Sequence, residues 1–499
     1  MRSTKYKRLR PEDVNTTTNV TIWPLAVGIL IISLVVVLPI VLTPRPDTVP
    51  LPTLLAFEQP PGTDNQFQQR VCVDEMCNNS WTFATDERLI SNAVFAQNTS
   101  IIDPRSLSSM IAFWGQVIDH DIVRSQSNAS EGIFSIPMTP NESVLLNLTR
   151  NAHRTLETGC RETLTEITPT IDASFVYGGF GEESLLMMLR DSNGTACRLR
   201  ISDGNLLPLD TNDPTSFLAG DNRSTEHSVL ASLHTLFMRE HNRLCGVLDQ
   251  LRPSWNEEQK FWKARQVVVA KVQHITYAEW IPTLFGQEAH LLSSVPTLGT
   301  GVRMGMEFSV SSFRFGHSMI PDSIGNFQLP QLFFNRTLLI ENGIEPFLSG
   351  AYEQNAQKMD NFVVDGLRNF LFMAPGMTIG EDLMTRNLFR GREIGALSYG
   401  EIATCFGFAI QTNPTDTEAS VGLFSEELAS GSSLPPGIAR IVAEQFKRLR
   451  DNDPKFYASN VNEIGAHFIA EITSTSLATV IRANTNLENV PDNVFVVGG

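Results

Sequence analysis

The chain has 499 residues, of which 42% are hydrophobic, and its formal net charge is −16 at pH 7. This length and composition support a large buried core and exclude a short peptide or a disordered tail. The sequence pI of about 5.1 argues against a general nucleic-acid-binding protein, because neutralising phosphates requires a basic surface.

The N-terminal region contains an uncharged stretch that is long enough to cross a bilayer. Residues 22–42 carry no charged side chain, and about 20 apolar residues in a helix span the hydrocarbon core. Five basic residues lie within the first ten positions, so the positive-inside rule predicts a cytoplasmic N-terminus. A cleaved signal peptide is the alternative, although its apolar core is usually only about 7–15 residues. The predicted organisation is a cytoplasmic tail (1–21), a transmembrane signal-anchor helix (22–43), a stalk (44–68) and one large domain (69–499).

Two patterns agree with an extracellular or lumenal position for that domain. All six cysteines follow the predicted span, and disulfides persist mainly outside the cytosol. The same region contains eight Asn-x-Ser/Thr glycosylation acceptors. They are Asn78, Asn98, Asn128, Asn141, Asn147, Asn193, Asn222 and Asn335.

The cysteine spacing favours a local first disulfide. Cys72 and Cys77 are the preferred pair, and Cys160 with Cys197 is a plausible second pair. The remaining connectivity cannot be read from the sequence. Free buried thiols are the simplest expectation for the other two cysteines, Cys245 and Cys405.

Helical patterns dominate the large domain. Apolar residues recur three and four positions apart in 107–123, 226–251, 257–280 and 436–449, which is typical of amphipathic or buried helices. Strand-like alternation is scarce. The fold class is therefore predicted to be mainly α, in a single large domain.

The first of these helical stretches holds a polar cluster. Gln116 and His120 are four residues apart, so they share one helix face. Asp119 and Asp121 flank the histidine on other faces, and burying two carboxylates beside one imidazole is costly without partners. In isolation, a helix end that exposes its acids to water would explain the cluster about as well.

A second cluster is rich in oxygen. Thr168, Thr170, Asp172 and Ser174 carry oxygen atoms at every second position, and hard oxygen donors suit calcium. A calcium site needs about six oxygens or more, so this segment would need a further donor, for which Asp121 is the candidate. A Ser/Thr-rich turn is the alternative for this stretch alone.

Two further segments place charged or imidazole groups near apolar residues. The loop 217–226 leads into a long helix and contains Arg223 and Glu226. His317 follows Gly316 in an aromatic segment, where the glycine would let a flat or bulky group approach. The spacing of His227, His234 and His241 could suggest a metal stripe, but no carboxylate or cysteine set completes a zinc site.

Taken in order, these segments resemble the animal haem peroxidases, and the resemblance covers nearly all of residues 69–499. Weaker similarity continues to the C-terminus. The segments that carry it are 115–121, 171–178, 217–226, 239–244, 313–317 and 390–392.

The resemblance implies roles for individual residues. It makes His120 the distal histidine, Arg223 the distal arginine and His317 the axial ligand of a haem b iron, with Gln116 lining the small-substrate position. Asp119 and Glu226 match the positions that form ester bonds to the haem. The residues that match the family's calcium site are Asp121, Thr168, Thr170 (through its carbonyl), Asp172 and Ser174.

The sequence also departs from the family pattern. One branch of the family has a methionine that forms a sulfonium link to the haem, and His227 stands there in this chain, which argues against chloride as the main donor. The family usually continues from Arg-Gly-Arg to a Tyr-Asn-x-x-Arg segment that supports the proximal histidine. Here that segment has Gly400 and Ala403 at the Asn and Arg positions. We therefore expect Glu401 to supply the missing support for His317.

The resemblance predicts an enzyme that reduces hydrogen peroxide and oxidises a small donor, either iodide, bromide or thiocyanate, or a phenol such as tyrosine. Haem b and calcium would be its cofactors, and nucleic acid is not an expected partner. Two alternatives remain: a non-catalytic or adhesion protein on a peroxidase scaffold, and a fatty-acid oxygenase. The combination of His120, Arg223 and His317 argues against the first, and the two ester-forming acids argue against the second.

Overall fold

The buried helices form where the sequence has long apolar stretches, and polar residues mark their ends. The computed structural model describes residues 66–72, 86–138, 144–179, 181–373, 376–412 and 416–499. All of them belong to one compact unit, 49–499. The helices are α1 Glu87–Val94, α2 Met110–Ile122, α3 Ser174–Tyr177, α4 Glu183–Leu189, α5 Asp191–Gly194, α6 Ser228–Leu251, α7 Glu257–His274, α8 Ile281–Phe285, α9 Leu291–Ser294, α10 Met306–Val310, α11 Gly316–Met319, α12 Leu329–Leu332, α13 Arg336–Asn342, α14 Glu345–Glu353, α15 Asp365–Arg368, α16 Leu383–Ile394, α17 Tyr399–Phe406, α18 Ala419–Phe424, α19 Pro436–Asn452, α20 Val461–Ile464, α21 Ala466–Thr473 and α22 Leu477–Asn484.

The strands of the described residues are short and pair into three antiparallel two-stranded sheets. In the first, Ile133 lies opposite Thr149 and Pro137 opposite Leu145. The prediction of a mainly α fold is therefore confirmed. The strands are β1 Ile133–Pro137, β2 Leu145–Thr149, β3 His153–Thr155, β4 Arg161–Thr163, β5 Ser323–Ile324 and β6 Phe327–Gln328.

Helix α6 lies at the centre of the domain. It packs against α2, α7, α14 and α22. Every residue from Ser228 to His241 is buried, and so is Leu244 in the next turn. Helix α2 is buried on nearly every side, as expected for a helix whose residues are mostly apolar. The polar face that the sequence places on α2 is therefore directed into the interior of the protein.

Helix α7 begins with a reciprocal cap. The Asn256 side chain accepts from the Gln259 backbone N–H, and the Gln259 side chain accepts from the Asn256 N–H, which satisfies two groups that have no partner within the helix. The helix runs into a π-helical turn at Ile275–Trp280. Trp280 lies under α2, where a Cβ on Gly115 would come within 3.2 Å of its ring. Glycine at 115 therefore lets α2 approach this turn.

The disulfides correct the predicted pairing. Cys72 bonds to Cys405 across 333 residues, and Cys197 bonds to Cys245. The predictions of a local Cys72–Cys77 bond, a Cys160–Cys197 bond and free thiols at 245 and 405 are therefore wrong. Cys160 is also disulfide-bonded, and Cys77 lies outside the described residues. The fold brings together cysteines that are far apart in the chain, which spacing alone could not show.

The predicted N-terminal segments also lie outside the described residues. These are the tail (1–21), the signal-anchor helix (22–43) and most of the stalk (44–68). Among the described helices, none has both the length and the apolar character to cross a bilayer.

Candidate active site

A pocket of about 1100 Å³, including its open mouth, lies between α2 and the segment around α11. Its walls come from α2, the loop before α6, residues 313–320 and α16. Most of the lining is apolar or aromatic, with a few polar groups converging on it, as in small-molecule and cofactor sites. The polar residues that line it are Gln116, Asp119, His120, Arg223, Glu226, His227, Arg314, His317 and Arg386.

His120 is buried on α2 at the distal wall of this pocket. Its Nε2 lies 3.7 Å from a Glu226 carboxylate oxygen, and its Nδ1 lies 3.8 Å from an Asp221 oxygen. Neither distance is a hydrogen bond, and the buried Nδ1 has no hydrogen-bond partner in the part of the chain that the structure describes. Burial, followed by the charge of Arg223, lowers the pKa of His120 well below its usual value. The imidazole is therefore neutral at physiological pH and can accept a proton.

Arg223 lies beside His120 and is fixed by Asp221. The guanidinium donates to both oxygens of that carboxylate, at 2.9 and 2.7 Å, in the bidentate geometry of strong charge-assisted pairs. It also donates to the backbone carbonyls of His120 and Val123 at 3.3 and 3.1 Å. Burial alone would raise the pKa of Asp221, but the arginine lowers it on balance. Arg223 therefore ties the end of α2 to the loop before α6.

Two half-buried carboxyl groups face the pocket, Asp119 from α2 and Glu226 from the loop before α6. The Asp119 oxygens lie 3.7 Å from Arg314 and 3.8 Å from Arg223, and no described residue forms a hydrogen bond with its Oδ1. Burial raises the pKa of Asp119, although Arg314 and then Arg223 oppose the shift. Burial raises the pKa of Glu226 to about 7, again against Arg223. Both acids are thus held in an environment that disfavours a free carboxylate.

Gln116 and His227 form the rim beside Glu226. The Gln116 amide nitrogen donates to Glu226 at 3.3 Å. Its amide oxygen lies 2.6 Å from His227 Nε2. All three side chains line the pocket, so the structure brings Gln116 together with the other predicted distal residues.

His317 lies on α11 at the opposite, proximal wall. Burial, and then the charge of Arg314, lowers its pKa to about 3, so the ring is neutral, as a metal ligand must be. Its Nδ1 lies 2.9 Å from the side-chain nitrogen Nδ2 of Asn387 on α16, and a half-turn of the amide would exchange that nitrogen for the oxygen. Nε2 can bind a metal only if Nδ1 carries the proton, and this requires the amide oxygen of Asn387 to face the ring.

The expectation that Glu401 supports His317 is therefore wrong. Glu401 is the third residue of α17, where its carboxylate accepts from the Ser398 backbone N–H and hydroxyl at 2.8 Å. That reciprocal cap occupies the side chain at the helix N-terminus. The altered residues Gly400 and Ala403 lie on the same helix, while the support for His317 comes from α16.

The predicted oxygen cluster is gathered behind the distal wall. The Ser174 hydroxyl donates to Asp121 at 2.9 Å, and the Thr168 hydroxyl donates to Asp172 at 2.7 Å. Burial, followed by the charge of Asp172, raises the pKa of Asp121 well above its usual value. Burial also raises the pKa of Asp172, although Arg265 opposes the shift. Two buried carboxyl groups that disfavour each other's charge are the arrangement that a divalent cation would stabilise.

The loop before α6 approaches this cluster closely because residue 220 is glycine. A Cβ at Gly220 would lie 2.2 Å from the Ser174 carbonyl oxygen, which no side chain could tolerate. Thr170 lies on the same segment and is half-buried. The five residues predicted to bind calcium are therefore placed in one region, next to His120 through Asp121.

The arrangement of these groups fits a haem. The pocket has one neutral histidine on each wall, a mainly apolar lining and two half-buried carboxyl groups, of which Asp119 has an oxygen with no hydrogen-bond partner among the described residues. His317 could bind iron, and His120 and Arg223 would lie on the other side. Asp119 and Glu226 both line this pocket.

Sequence reasoning missed two of the residues that shape this site. Asp221 fixes Arg223 and stands two positions before it in the motif 217–226, so a carboxylate next to the predicted arginine was an available signal. Asn387 stands three residues before the Arg390-Gly391-Arg392 motif on the same helix. Its partner His317 is 70 residues away, and only the fold shows that contact.

Comparison with known proteins shows the family of this chain. The family model described as animal haem peroxidase matches residues 63–416 and 408–495. The chain is 28% identical over 476 residues to peroxinectin A of Dictyostelium discoideum, covering 82% of this chain and 87% of that protein.

Solved structures show the same fold. Peroxidase A from Dictyostelium discoideum superposes with a TM-score of 0.73 at 25% identity, covering 86% of this chain and 95% of that chain. A fatty acid alpha-dioxygenase of Arabidopsis thaliana superposes with a TM-score of 0.71 at 16% identity, covering 87% and 80% of the two chains, and this likeness concerns the fold alone. Because the family match extends over most of the sequence, the chain belongs to the animal haem peroxidase family and is an enzyme of the peroxidase class.

Proposed function

We propose that this chain is a haem peroxidase that reduces hydrogen peroxide and oxidises a small electron donor at the rim of the same pocket. His120 would transfer the proton in the reaction with peroxide. One observation carries the proposal: two neutral histidines, His120 and His317, face one apolar pocket from opposite walls. Members of the animal haem peroxidase family bind haem, and the pocket would hold it between these walls. Bound haem would supply the iron that receives peroxide and the oxidising equivalents that the donor consumes.

His120 is the proton-transfer group. Its lowered pKa leaves it able to take a proton from hydrogen peroxide and return that proton to the departing oxygen. Arg223, whose guanidinium is held by Asp221, stabilises the negative charge that develops as the O–O bond breaks. Arg223 needs no reorganisation for this role because its hydrogen bonds fix it in advance.

His317 and Asn387 form the proximal support. His317 would bind the iron through Nε2, and the Asn387 amide would hold the Nδ1 proton and the ring orientation. An amide is a weaker acceptor than a carboxylate. The histidine would therefore donate less electron density to the iron than a histidine paired with a carboxylate would.

Asp119 and Glu226 would form ester bonds to haem methyl groups. Each C–O bond would replace a methyl C–H bond, and one molecule of hydrogen peroxide would take up the two electrons and two protons released. Esterification removes both charges, and this suits two half-buried acids with raised pKa values. Calcium would bind Asp121, Thr168, Thr170, Asp172 and Ser174. An ion there would neutralise the paired carboxyl groups and hold the end of α2, and with it His120, in place.

The enzyme would act outside the cytosol, anchored by the segment 22–43 as a type II membrane protein. This proposal is supported by the uncharged stretch and the basic residues before it. The acceptor asparagines within the described residues are all exposed or half-buried, so each is accessible to glycosylation. Asn222, beside Arg223, is exposed as well.

The test is spectroscopic and enzymatic. Full-length chain purified in detergent should show a haem absorption band whose intensity corresponds to about one haem per chain. Addition of hydrogen peroxide with guaiacol, iodide, bromide or thiocyanate should then give turnover. Chain without haem would overturn the proposal. Haem without turnover for any donor would support the non-catalytic scaffold, and oxygen uptake with a fatty acid but no peroxide turnover would support the oxygenase.

A further inference from the structure

A continuous hydrogen-bonded chain runs along the rim of the pocket from the N-terminus of α6 to Glu226. The backbone N–H of Leu230 donates to His227 Nδ1 at 3.2 Å. His227 Nε2 lies 2.6 Å from the Gln116 amide oxygen. The Gln116 amide nitrogen then donates to Glu226 at 3.3 Å.

The helix cap fixes the protonation of the His227 ring. A backbone N–H can only donate, so Nδ1 must be the acceptor, and the single proton of the neutral ring resides on Nε2. Burial lowers the pKa of His227 to about 3, so the ring stays neutral at physiological pH. His227 Nε2 therefore donates to the amide oxygen of Gln116.

This donation fixes which end of the Gln116 amide faces the pocket. Reversing the amide would place its NH2 group against the Nε2–H of His227, and two donors would face each other. The His227 ring cannot easily turn away, because it is buried and its centroid lies 5.1 Å from that of Phe113. Gln116 thus directs its NH2 group towards Glu226 and the pocket, with one N–H engaged by Glu226 and the other free to donate.

We propose that His227 is a positioning residue that locks the Gln116 amide so that it offers an N–H donor to the electron donor, and that it thereby favours small anions such as thiocyanate or iodide over phenols. The inference rests on the proposed peroxidase function. An anion binds through N–H donors, whereas a phenol would also need an acceptor for its hydroxyl proton. The arginines that line the pocket, Arg223, Arg314 and Arg386, add positive charge to the same site.

The test separates the orientation of Gln116 from the capping of α6. Threonine is a good N-cap residue, so His227→Thr keeps the acceptor for Leu230 N–H but is too short to reach Gln116. We would measure the thiocyanate dissociation constant of the haem-loaded ferric protein from the shift of its main absorption band. The ratio of kcat/KM for thiocyanate to that for guaiacol would be measured in parallel.

His227→Thr should raise the thiocyanate dissociation constant about tenfold, as expected for one ordered hydrogen bond, and lower the thiocyanate-to-guaiacol ratio by a similar factor. In a Gln116→Leu background the same substitution should change either quantity less than about twofold, because the pair acts as a unit. His290→Thr, at an exposed histidine outside the pocket, is the control and should leave both quantities at the wild-type values.

An unchanged thiocyanate dissociation constant in His227→Thr would overturn the proposal. So would a parallel loss for thiocyanate and guaiacol, or an undiminished effect of His227→Thr in the Gln116→Leu background. These results differ from failure of the peroxidase function itself, in which the wild-type chain would bind no haem or would not react with peroxide.

Discussion

The two walls of the pocket are built differently. On the distal wall, His120 and its neighbours Asp119 and Gln116 come from one turn of α2, and the groups that meet them come from the loop just before α6. On the proximal wall, His317 lies on a four-residue helix and depends on Asn387, 70 residues further along. The distal wall is a network in which several side chains of α2 meet one loop about 100 residues away in the sequence, and the proximal wall has one histidine with one amide. We therefore expect proton transfer to depend on the first and iron binding on the second.

The largest expected effect comes from removing the distal base. His120→Ala should retain haem and lower the second-order rate constant for the reaction with peroxide by about 10²–10⁴-fold, the usual contribution of general acid–base catalysis. Rapid mixing with a spectrophotometer measures this constant. His153→Ala, at a histidine that does not line the pocket, is the control. A drop of less than about threefold would mean that another group moves the proton.

The next effect concerns the cation behind the distal wall. Calcium at about 100 times its dissociation constant should stabilise the fold by about 2.7 kcal/mol, and a chelator should remove this stabilisation together with part of the peroxide reactivity. Thermal unfolding with and without chelator measures it. Asp172→Asn should abolish the response to calcium, whereas Asp203→Asn, at an exposed acid, should preserve it. An unfolding temperature that does not respond to calcium would count against the site.

Breaking the contact between Asn387 and His317 should weaken haem retention, with an effect similar to or smaller than that of removing calcium. Asn387→Leu should weaken haem retention about 10–100-fold, the usual cost of losing the partner of a metal-binding histidine. Glu401→Gln should leave it unchanged, because Glu401 caps α17. Transfer of haem to an apo-globin acceptor measures retention in chain that has been loaded with haem and never exposed to peroxide, so that no ester bond holds the haem. If Glu401→Gln weakened haem retention as much as Asn387→Leu did, the assignment of Asn387 as the partner of His317 would be wrong.

The smallest expected effect is a flat pH profile. The pKa of His120 lies well below its usual value of 6.5, so the neutral base is already the main form at pH 6.5. The pKa of free Glu226 is raised by burial to about 7, but its carboxyl group does not titrate once it is held as a haem ester. The rate of the peroxide reaction should then change less than about twofold between pH 6.5 and 8 and fall only in more acidic buffer, as the His120 ring becomes protonated. A midpoint at or above pH 6.5 would show that burial does not control this histidine.

The sequence predicted the distal wall better than the proximal wall for a physical reason. The helix at 107–123 and its polar face correspond to α2, and the loop 217–226 leads directly into α6. In both cases the sequence pattern lies within one continuous segment, although the contacts between the two segments join residues 100 to 110 positions apart. The partner of His317 and the Cys72–Cys405 bond depend on how distant segments pack, and one sequence carries no signal for that. The reciprocal cap on Glu401 was visible in the Ser398–Glu401 spacing, and it would have argued against a role at the haem.

The central claim is that one haem lies between His120 and His317, with His317 bound to its iron. The most direct measurement is resonance Raman spectroscopy of the reduced, haem-loaded full-length chain, comparing wild type with His317→Gly. The structure predicts an iron–histidine vibration in the wild type that disappears in His317→Gly and returns when imidazole is added. The same vibration in His317→Gly without imidazole, or its absence from the wild type, would contradict the account.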